Sequence, residues 1–361
     1  MNPARQNHTL ENAMTEPTFA TRAAALRQRN DELAASQPGQ RARNLAQALG
    51  VSEAEWIAAG CNGARVTALR GKPQAIFRDL GELGEVMALT RNDWCVHERH
   101  GRYEDIQAEG PVGLVLGPDI DLRVFFNCWA SAWAVEQDGH TSLQFFDGAG
   151  VAVHKVYRTE ATDGAAWEAL VARYAGEPEW PEPQPYPPAA DAAAVDDPAA
   201  LRRDWLAMQD THEFFPLLRR LKVGRLAALK AAGADLAQQV PAETVEHMLT
   251  QAAASGLSIM CFVGNRGMIQ IHTGPVEKLR RTGPWYNVLD PRFNLHLNTE
   301  TVDSAWVVSK PTSDGWVTSL ELYTAGGELI VQFFGERKPG KPELTAWRQL
   351  LSGLCGQPLA E

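Results

Sequence analysis

The sequence predicts an α+β fold built by tandem duplication of one module, each copy carrying a large antiparallel β-sheet and flanking helices. Three observations predict it: an ordered internal repeat, a proline-rich break between the copies, and helical patterns followed by runs of strand-like segments within each copy. Ser131-Ala-Trp133-Ala-Val135 recurs 173 residues later as Ser304-Ala-Trp306-Val-Val308. Thr141-Ser-Leu-Gln-Phe145 recurs after 177 as Thr318-Ser-Leu-Glu-Leu322, and Ala166-Trp-Glu-Ala-Leu170 after 180 as Ala346-Trp-Arg-Gln-Leu350. Short matches kept in order, with an offset that grows by small insertions, are the mark of a duplicated domain.

The break lies at 177–200. It holds Pro178, Pro181, Pro183, Pro185, Pro187 and Pro188, then an Ala/Asp stretch. Proline fixes φ and lacks an N–H, so the segment is excluded from helix and sheet interiors and reads as a semi-extended linker. The expected organisation is a disordered N-terminal extension at 1–17, repeat one at 18–176, the linker at 177–200 and repeat two at 201–361. Such a linker would let the two repeats close on a ligand and open again.

Each repeat follows one plan. Helical patterns open it: Thr21–Leu33, Arg41–Leu49 and Ser52–Ala59 in repeat one, Pro198–Phe215 and Val223–Ala232 in repeat two. Segments rich in β-branched and aromatic residues follow. They are Val112–Leu116, Leu122–Phe126, Trp129–Val135, Ser142–Phe146 and Val151–Tyr157, then Ile259–Val263, Met268–Thr273, Asn294–Leu297, Ala305–Val308, Thr318–Tyr323 and Glu328–Phe334. Asp147-Gly148 and Gly326-Gly327 stand where hairpin turns belong. A helix with Trp167 or Trp347 closes each repeat. Strand runs flanked by helices indicate antiparallel sheets rather than βαβ units. No Rossmann glycine fingerprint or phosphate-cradling loop is present.

Composition narrows the functions. The 361 residues suit two domains, with 45% hydrophobic and 22% charged residues. A formal net charge of −10 argues against nucleic acid or acidic lipid as the main partner. No apolar run of about 18 residues suggests a membrane span, and the first residues lack the apolar core of a signal peptide. Five separated cysteines without a CxxC pair fit reduced thiols in a cytoplasm better than a disulfide framework or zinc site.

A duplication exposes residues present in one copy only. At the common offset His212 aligns with Gly39. On a helix, Met208, His212 and Phe215 would share one face, a setting that suits an axial haem ligand but equally a half-buried core histidine. Lys310 falls in an expected loop after Val308, Arg337 follows the last strand, Arg225 lies one helix beyond His212, and Arg123 matches His296. Such cations could meet haem propionates at a pocket rim or be plain surface charge. Cys95-Val-His97-Glu-Arg-His100 is a weak metal candidate, because on a strand His100 points away from Cys95 and His97. Gly264-Asn265-Arg266-Gly267 reads as a hairpin turn. The eleven tryptophans read as core rather than as a base-stacking platform.

Further segments resemble the HemS/ChuS haem-handling family across nearly the whole chain. In repeat two these are Asp210-Thr-His212-Glu-Phe-Phe, Phe262-Val-Gly-Asn-Arg-Gly267, Lys310-Pro-Thr312 with Asp314-Gly315, Thr318-Ser-Leu-Glu-Leu322, and Gln332 through Arg337. In repeat one they are Thr90-Arg-Asn92, Val96-His-Glu98, Asp121-Leu-Arg123 and His154-Lys-Val-Tyr157. The resemblance implies one principal site for haem b (haemin) in repeat two, reached by residues of repeat one. His212 then matches the proximal iron ligand and Arg123 a distal arginine. Phe125, Phe262 and Gln332 match pocket positions, and Arg225, Lys310 and Arg337 basic residues around haem. Phe334 departs from the tyrosine of some relatives, which removes one hydroxyl hydrogen bond.

The resemblance also implies cytoplasmic haem trafficking after uptake, with haem-import machinery or a haem oxygenase as partners. Its alternative is a haem-degrading enzyme, in which Arg123 would be the catalytic residue. A reading from another class, a haem-independent interaction module, rests only on the duplicated sheet-rich design.

Overall fold

The computed structural model describes residues 17–187, 194–338 and 340–361. Most of the expected N-terminal extension and the linker's Pro188 lie outside the described residues. Ten helices form among the described residues: α1 (Phe19–Ser36), α2 (Ala42–Leu49), α3 (Glu53–Ala58), α4 (Pro73–Asp79), α5 (Gly164–Tyr174), α6 (Pro198–Leu206), α7 (Phe214–Leu221), α8 (Arg225–Ala231), α9 (Thr244–Ser255) and α10 (Thr345–Ser352). The strands of repeat one are β1 (Arg65–Leu69), β2 (Gly84–Arg91), β3 (Cys95–Gly101), β4 (Ile106–Gln107), β5 (Val112–Leu116), β6 (Asp121–Phe125), β7 (Trp129–Gln137), β8 (His140–Asp147) and β9 (Ala152–Thr162). Those of repeat two are β10 (Ala237–Val240), β11 (Ile259–Gly264), β12 (Met268–Gly274), β13 (Leu279–Thr282), β14 (Trp285–Leu289), β15 (Phe293–Asn298), β16 (Ser304–Thr312), β17 (Gly315–Tyr323) and β18 (Leu329–Gly335).

Local chemistry accounts for several boundaries. Ser52 and Glu55 form a capping box at the start of α3. Asp147 accepts from the amides of Ala149 and Val151, and Gly150 turns with φ +74° before β9. Two expectations fail here. The helix expected over 198–215 breaks after Leu206, because Asp210 caps a new turn at Thr211–Glu213 through its side chain and α7 begins at Phe214. Lys310 lies within β16, not in a loop, because the hairpin turn falls three residues later.

The strands make two nine-stranded antiparallel sheets, ordered β1-β7-β8-β9-β2-β3-β15-β14-β13 and β10-β16-β17-β18-β11-β12-β6-β5-β4. Each sheet therefore holds six strands of its own repeat and three of the other. The seams are β3 with β15 and β12 with β6. The register repeats the duplication strand by strand. Leu89 pairs with Lys155 and Glu98 as Phe262 pairs with Gln332 and Ile271. Gln144 faces Lys155 as Glu321 faces Gln332.

Apolar packing covers the sheets. Trp347 and Leu351 of α10 and Met248 and Leu249 of α9 pack on Cys261, Leu320, Leu322 and Phe333. On the opposite face α6 to α8 place Leu201, Trp205, Phe214 and Leu229 against Trp306, Val308 and Tyr323. That cover reaches only one end of the sheet. Burying such aromatic and aliphatic side chains contributes about 1.5–3 kcal/mol each.

Two matching turns lock the repeats together. Asn92 donates to the carbonyls of Gly264 (3.2 Å) and Ile330 (2.8 Å), while its counterpart Asn265 donates to those of Arg91 (3.0 Å) and Val153 (2.8 Å). The turn expected at 264–267 is thus a cross-repeat clasp. Nor is the described first part of the linker, 177–187, free of the repeats. Trp180 donates to Glu55 at 3.3 Å, the Gln184 amide to the Gly148 carbonyl at 2.7 Å, and Arg266 stacks on Tyr186 at 3.7 Å. The expected opening and closing of the repeats about the linker is overturned, since separating them would break both β-seams. Asn92→Ala or Asn265→Ala should each lower stability by about 1–3 kcal/mol, because two carbonyls lose their donor. Urea unfolding measures this, and an unchanged midpoint would deny the clasp its role.

Candidate functional site

Residues paired across a sheet point to the same side, so the register shows which candidates share a face. One row across the second sheet reads Trp306, Glu321, Gln332, Phe262, Ile271, Asp121. Two residues along in one direction Arg123 pairs with Ile269, and in the opposite direction Val308 and Lys310 continue on β16. Arg123, Phe125, Phe262, Lys310 and Gln332 therefore lie on one face, on both repeats' strands. Where α6–α8 end, β18, β11, β12 and β6 form a floor. It spans three strand spacings, about 14 Å, from Gln332 to β6. Phe334 packs edge-on to Phe262 at 5.0 Å, so it supplies an apolar surface there.

At the covered end sits Glu321, fully buried. It accepts from Arg225 at 2.8 and 2.7 Å, Lys310 at 2.9 Å, Ser319 at 2.9 Å, Gln332 at 3.0 Å and Tyr323 at 2.5 Å. Burial opposes its ionisation, yet Arg225 and Lys310 hold the carboxyl well below the ordinary range. Burial likewise pulls Lys310 down to about 8 against the attraction of Glu321. Lys310 and Arg225 stand 4.8 and 5.1 Å from the Phe214 ring. The expectation of these two cations at a pocket rim is corrected: Lys310 is 3% exposed, and both are tied to a carboxylate. Two cations facing one anion leave one surplus positive charge beside the floor, at its covered end.

His212 occupies the Thr211–Glu213 turn and not a helical face. Met208 is in the core while Phe215 is 64% exposed, so the three residues expected on one face do not share it. The His212 side chain is 89% exposed, with Nδ1 at 2.6 Å from Asp210 Oδ1. The His212 backbone N–H at 2.7 Å holds the Asp210 carboxyl below the ordinary aspartate range, assisted by the imidazole and by Arg337. An ionised carboxylate only accepts, so Nδ1 carries the proton and the Nε2 lone pair is left free. The loop is anchored where the Ser313 amide donates to Gln209 at 2.9 Å. Arg337 reaches the same turn, 3.6 Å from Asp314, with its Nε buried and unpaired among the described residues. Arg123 is held by Asp121 and by the Leu122 carbonyl at 3.1 Å.

Glu321, Asp210 and Tyr323 were missed. A signal existed for Glu321: its partner in the repeat is Gln144, so a charge appears in one copy only, the criterion that singled out His212. Other candidates proved architectural. Thr90 and Tyr103 bracket the buried His154 ring at 2.8 and 2.6 Å, and burial pulls that imidazole down to about 3. Cys95 and His97 are buried on β3, and no three His, Cys, Asp or Glu side chains gather as a metal site among the described residues.

Replacing Glu321 by Gln should destabilise the protein by about 3–5 kcal/mol, because Arg225 and Lys310 lose their counter-charge in a buried place. Chemical unfolding tests this. A loss below about 1 kcal/mol would mean that the cluster is solvated.

Comparison with known proteins places this geometry in a family. The model for the haemin-degrading HemS.ChuX domain matches twice, over residues 50–174 and 222–354. The hemin transport protein HemS of Yersinia enterocolitica is 44% identical over 334 residues, 90% of this chain and 96% of that one. The crystal structure of apo-PhuS, a heme-binding protein from Pseudomonas aeruginosa, superposes with a TM-score of 0.88 at 46% identity, covering 92% and 99% of the two chains. That of ChuS, a heme degrading enzyme of Escherichia coli O157:H7, gives 0.84 at 37% identity, over 92% and 99%. With both repeats matched and the duplicated two-sheet architecture shared, this chain belongs to the HemS family.

Proposed function

We propose that the chain binds haem b in the cleft on the second sheet and carries it through the cytoplasm after its uptake. The observation that carries this reading is His212: exposed, oriented by Asp210 through Nδ1, with a free Nε2 lone pair beside exposed Phe215. A carboxylate on the second nitrogen fixes the tautomer and raises the basicity of an imidazole that ligates a metal. His212 is the iron ligand in this reading. Phe125, Phe262 and Gln332 line the floor under the porphyrin, and Arg123 faces the iron from the strand supplied by repeat one. The propionates are drawn by Arg337 and by the surplus charge of the Arg225–Lys310–Glu321 cluster. Support comes also from relatives named for hemin transport and heme binding. Haem-import machinery as donor and a haem oxygenase as acceptor complete the proposed route. No helix among the described residues is long and apolar enough to cross a membrane.

The second reading is ring opening of haem, favoured by the placement of Arg123 on the cleft face and by the heme degrading relative. There the guanidinium would stabilise anionic charge developing on the side of the iron opposite His212. Haemin-loaded protein treated with ascorbate in the presence of catalase separates the two. A linear tetrapyrrole with released iron indicates the enzyme, and a lasting Soret band the carrier.

Two measurements test the binding reading. His212→Ala should shift the Soret band and weaken haemin binding at least tenfold; a spectrum identical to wild type would remove His212 from the iron. Haemin affinity should also fall as pH rises through about 8, where Lys310 loses its proton. Lys310→Met should weaken binding at pH 7 by about 1.5 kcal/mol, roughly tenfold, and flatten the profile between pH 7 and 9. A variant that keeps the wild-type profile would exclude Lys310 as its source.

A further inference from the structure

The duplication builds a cleft on the first sheet, in the position that the candidate site occupies on the second. It has a volume of about 750 Å³ and lies between the α1–α2 loop, strands β2, β3 and β9, and strands β13–β15 supplied by repeat two. The scaffold is the same and the residues differ. Gly39 stands for His212, His296 for Arg123, Leu89 for Phe262, Lys155 for Gln332 and Arg91 for Gly264. The position proposed for the iron ligand is thus lost and Arg123 gives way to a histidine, while Lys155 and Arg91 are gained.

Five cations and two carboxylates line this cleft, on a chain whose formal charge is −10. Lys155 pairs with Glu53 at 2.6 Å, and Arg43 pairs with Asp93 outside the cavity. Glu98 on β3 forms no ion pair among the described residues. Among the described residues Arg41, Arg91 and Arg280 also form none, and the Arg91 guanidinium bonds only to the carbonyl of its neighbour Asn92 at 3.1 Å. Arg91 is half-buried on β2. The Glu53 and Asp93 carboxylates attract it only from beyond ion-pair contact, and a guanidinium withdrawn from water without a carboxylate in contact is costly unless an anion completes it. Between these charges lie Leu89, Tyr157 and Trp285, each partly exposed in the cavity. Apolar walls with a few convergent charged groups describe a small-molecule site.

We propose that the repeat-one cleft binds a second ligand, a flat aromatic molecule carrying several carboxylate or phosphate groups, held by Arg41, Arg91 and Arg280 against Trp285 and Tyr157. This site is separate from the haem cleft and does not depend on iron coordination by His212.

Calorimetric titration of the full chain with two probes tests it: benzene-1,2,4,5-tetracarboxylate for the carboxylates and ATP for the phosphates. Saturable binding of either probe at micromolar to submillimolar concentration is expected, and the probe that binds identifies the anionic group. Affinity should fall at least tenfold in the double variant Arg91→Ala/Arg280→Ala, stay within threefold in Arg91→Lys/Arg280→Lys, and be unchanged in His212→Ala. Circular dichroism confirms that each variant is folded. Binding of neither probe below 1 mM (on the order of −4 kcal/mol) overturns the proposal. So does an affinity indifferent to Arg91 and Arg280, or one that follows His212. Haemin binding by wild type is measured separately, so loss of the haem reading would leave this outcome intact.

Discussion

Exchange of three strands between the repeats is the constraint from which the rest follows. A duplicated chain could have made two independent modules joined by a tether. Instead β4–β6 complete the second sheet and β13–β15 complete the first. Every hydrogen bond along the β3–β15 and β12–β6 seams holds one repeat to the other. The reciprocal Asn92 and Asn265 clasps fix the crossing point, with each amide satisfying two carbonyls of the opposite repeat. Exchange also decides which residues can meet. Arg123 belongs to repeat one by sequence and to the second sheet by hydrogen bonding, so a cleft on that sheet is lined from both halves without any domain closure.

The second constraint is electrostatic. A carboxylate at Glu321, with no exposure, survives only because six donor groups converge on it. The arrangement holds Lys310 and Arg225 in fixed positions at the covered end of the floor, at the expense of their freedom to reach outward. A cation tied in this way attracts an anion through its field and its remaining donors, not by wrapping around it. Lys310 is the more sensitive of the two, since burial has already brought its ammonium within reach of physiological pH. Arg337 differs: its Nε is buried without a partner among the described residues, and its charge is shared with Asp314 and Asp210.

Periodicity and repetition made most of the architecture legible. β5 matches its expected bounds, and most other expected strands differ by one to four residues at their ends. The strand exchange was not legible, because a β-strand carries no mark of which neighbour it will pair with; that depends on the length and direction of the connection between β12 and β15. The His212 segment was misread for a local reason. Its apolar spacing fits a helix, but Asp210 competes for the backbone by capping, and a capped turn places Met208 inward and His212 outward. Lys310 was misread because a lysine on a strand end looks like a loop residue when its buried counter-charge, eleven positions away on β17, is not seen. The family resemblance named candidate residues, but not the fact that two of the cations among them are occupied with Glu321.

The two sheets show how a duplication can separate tasks without changing its frame. The central strand positions match in register, so the two clefts differ there in their side chains, while insertions lengthen the β16–β17 hairpin relative to β7–β8. On the second sheet the carboxylate of Glu321 gathers two cations at the covered end, and the open part of the face carries Phe125, Phe262 and Phe334 with the paired Asp121 and Arg123. On the first sheet the same position is Gln144, which cannot neutralise a cation, and the charged groups of the cleft are instead Lys155, Arg91 and Glu98 on the open part of the face. One cleft is therefore suited to a large apolar disc fixed at its centre, the other to a ligand fixed by its charged periphery. Because the seams couple the sheets rigidly, occupation of one cleft would change the other through the shared strands β12–β6 and β3–β15 only if a ligand displaced those strands. Two clefts on rigid, exchanged sheets are thus expected to bind independently, and cooperativity between them would require the Asn92 and Asn265 clasps to yield.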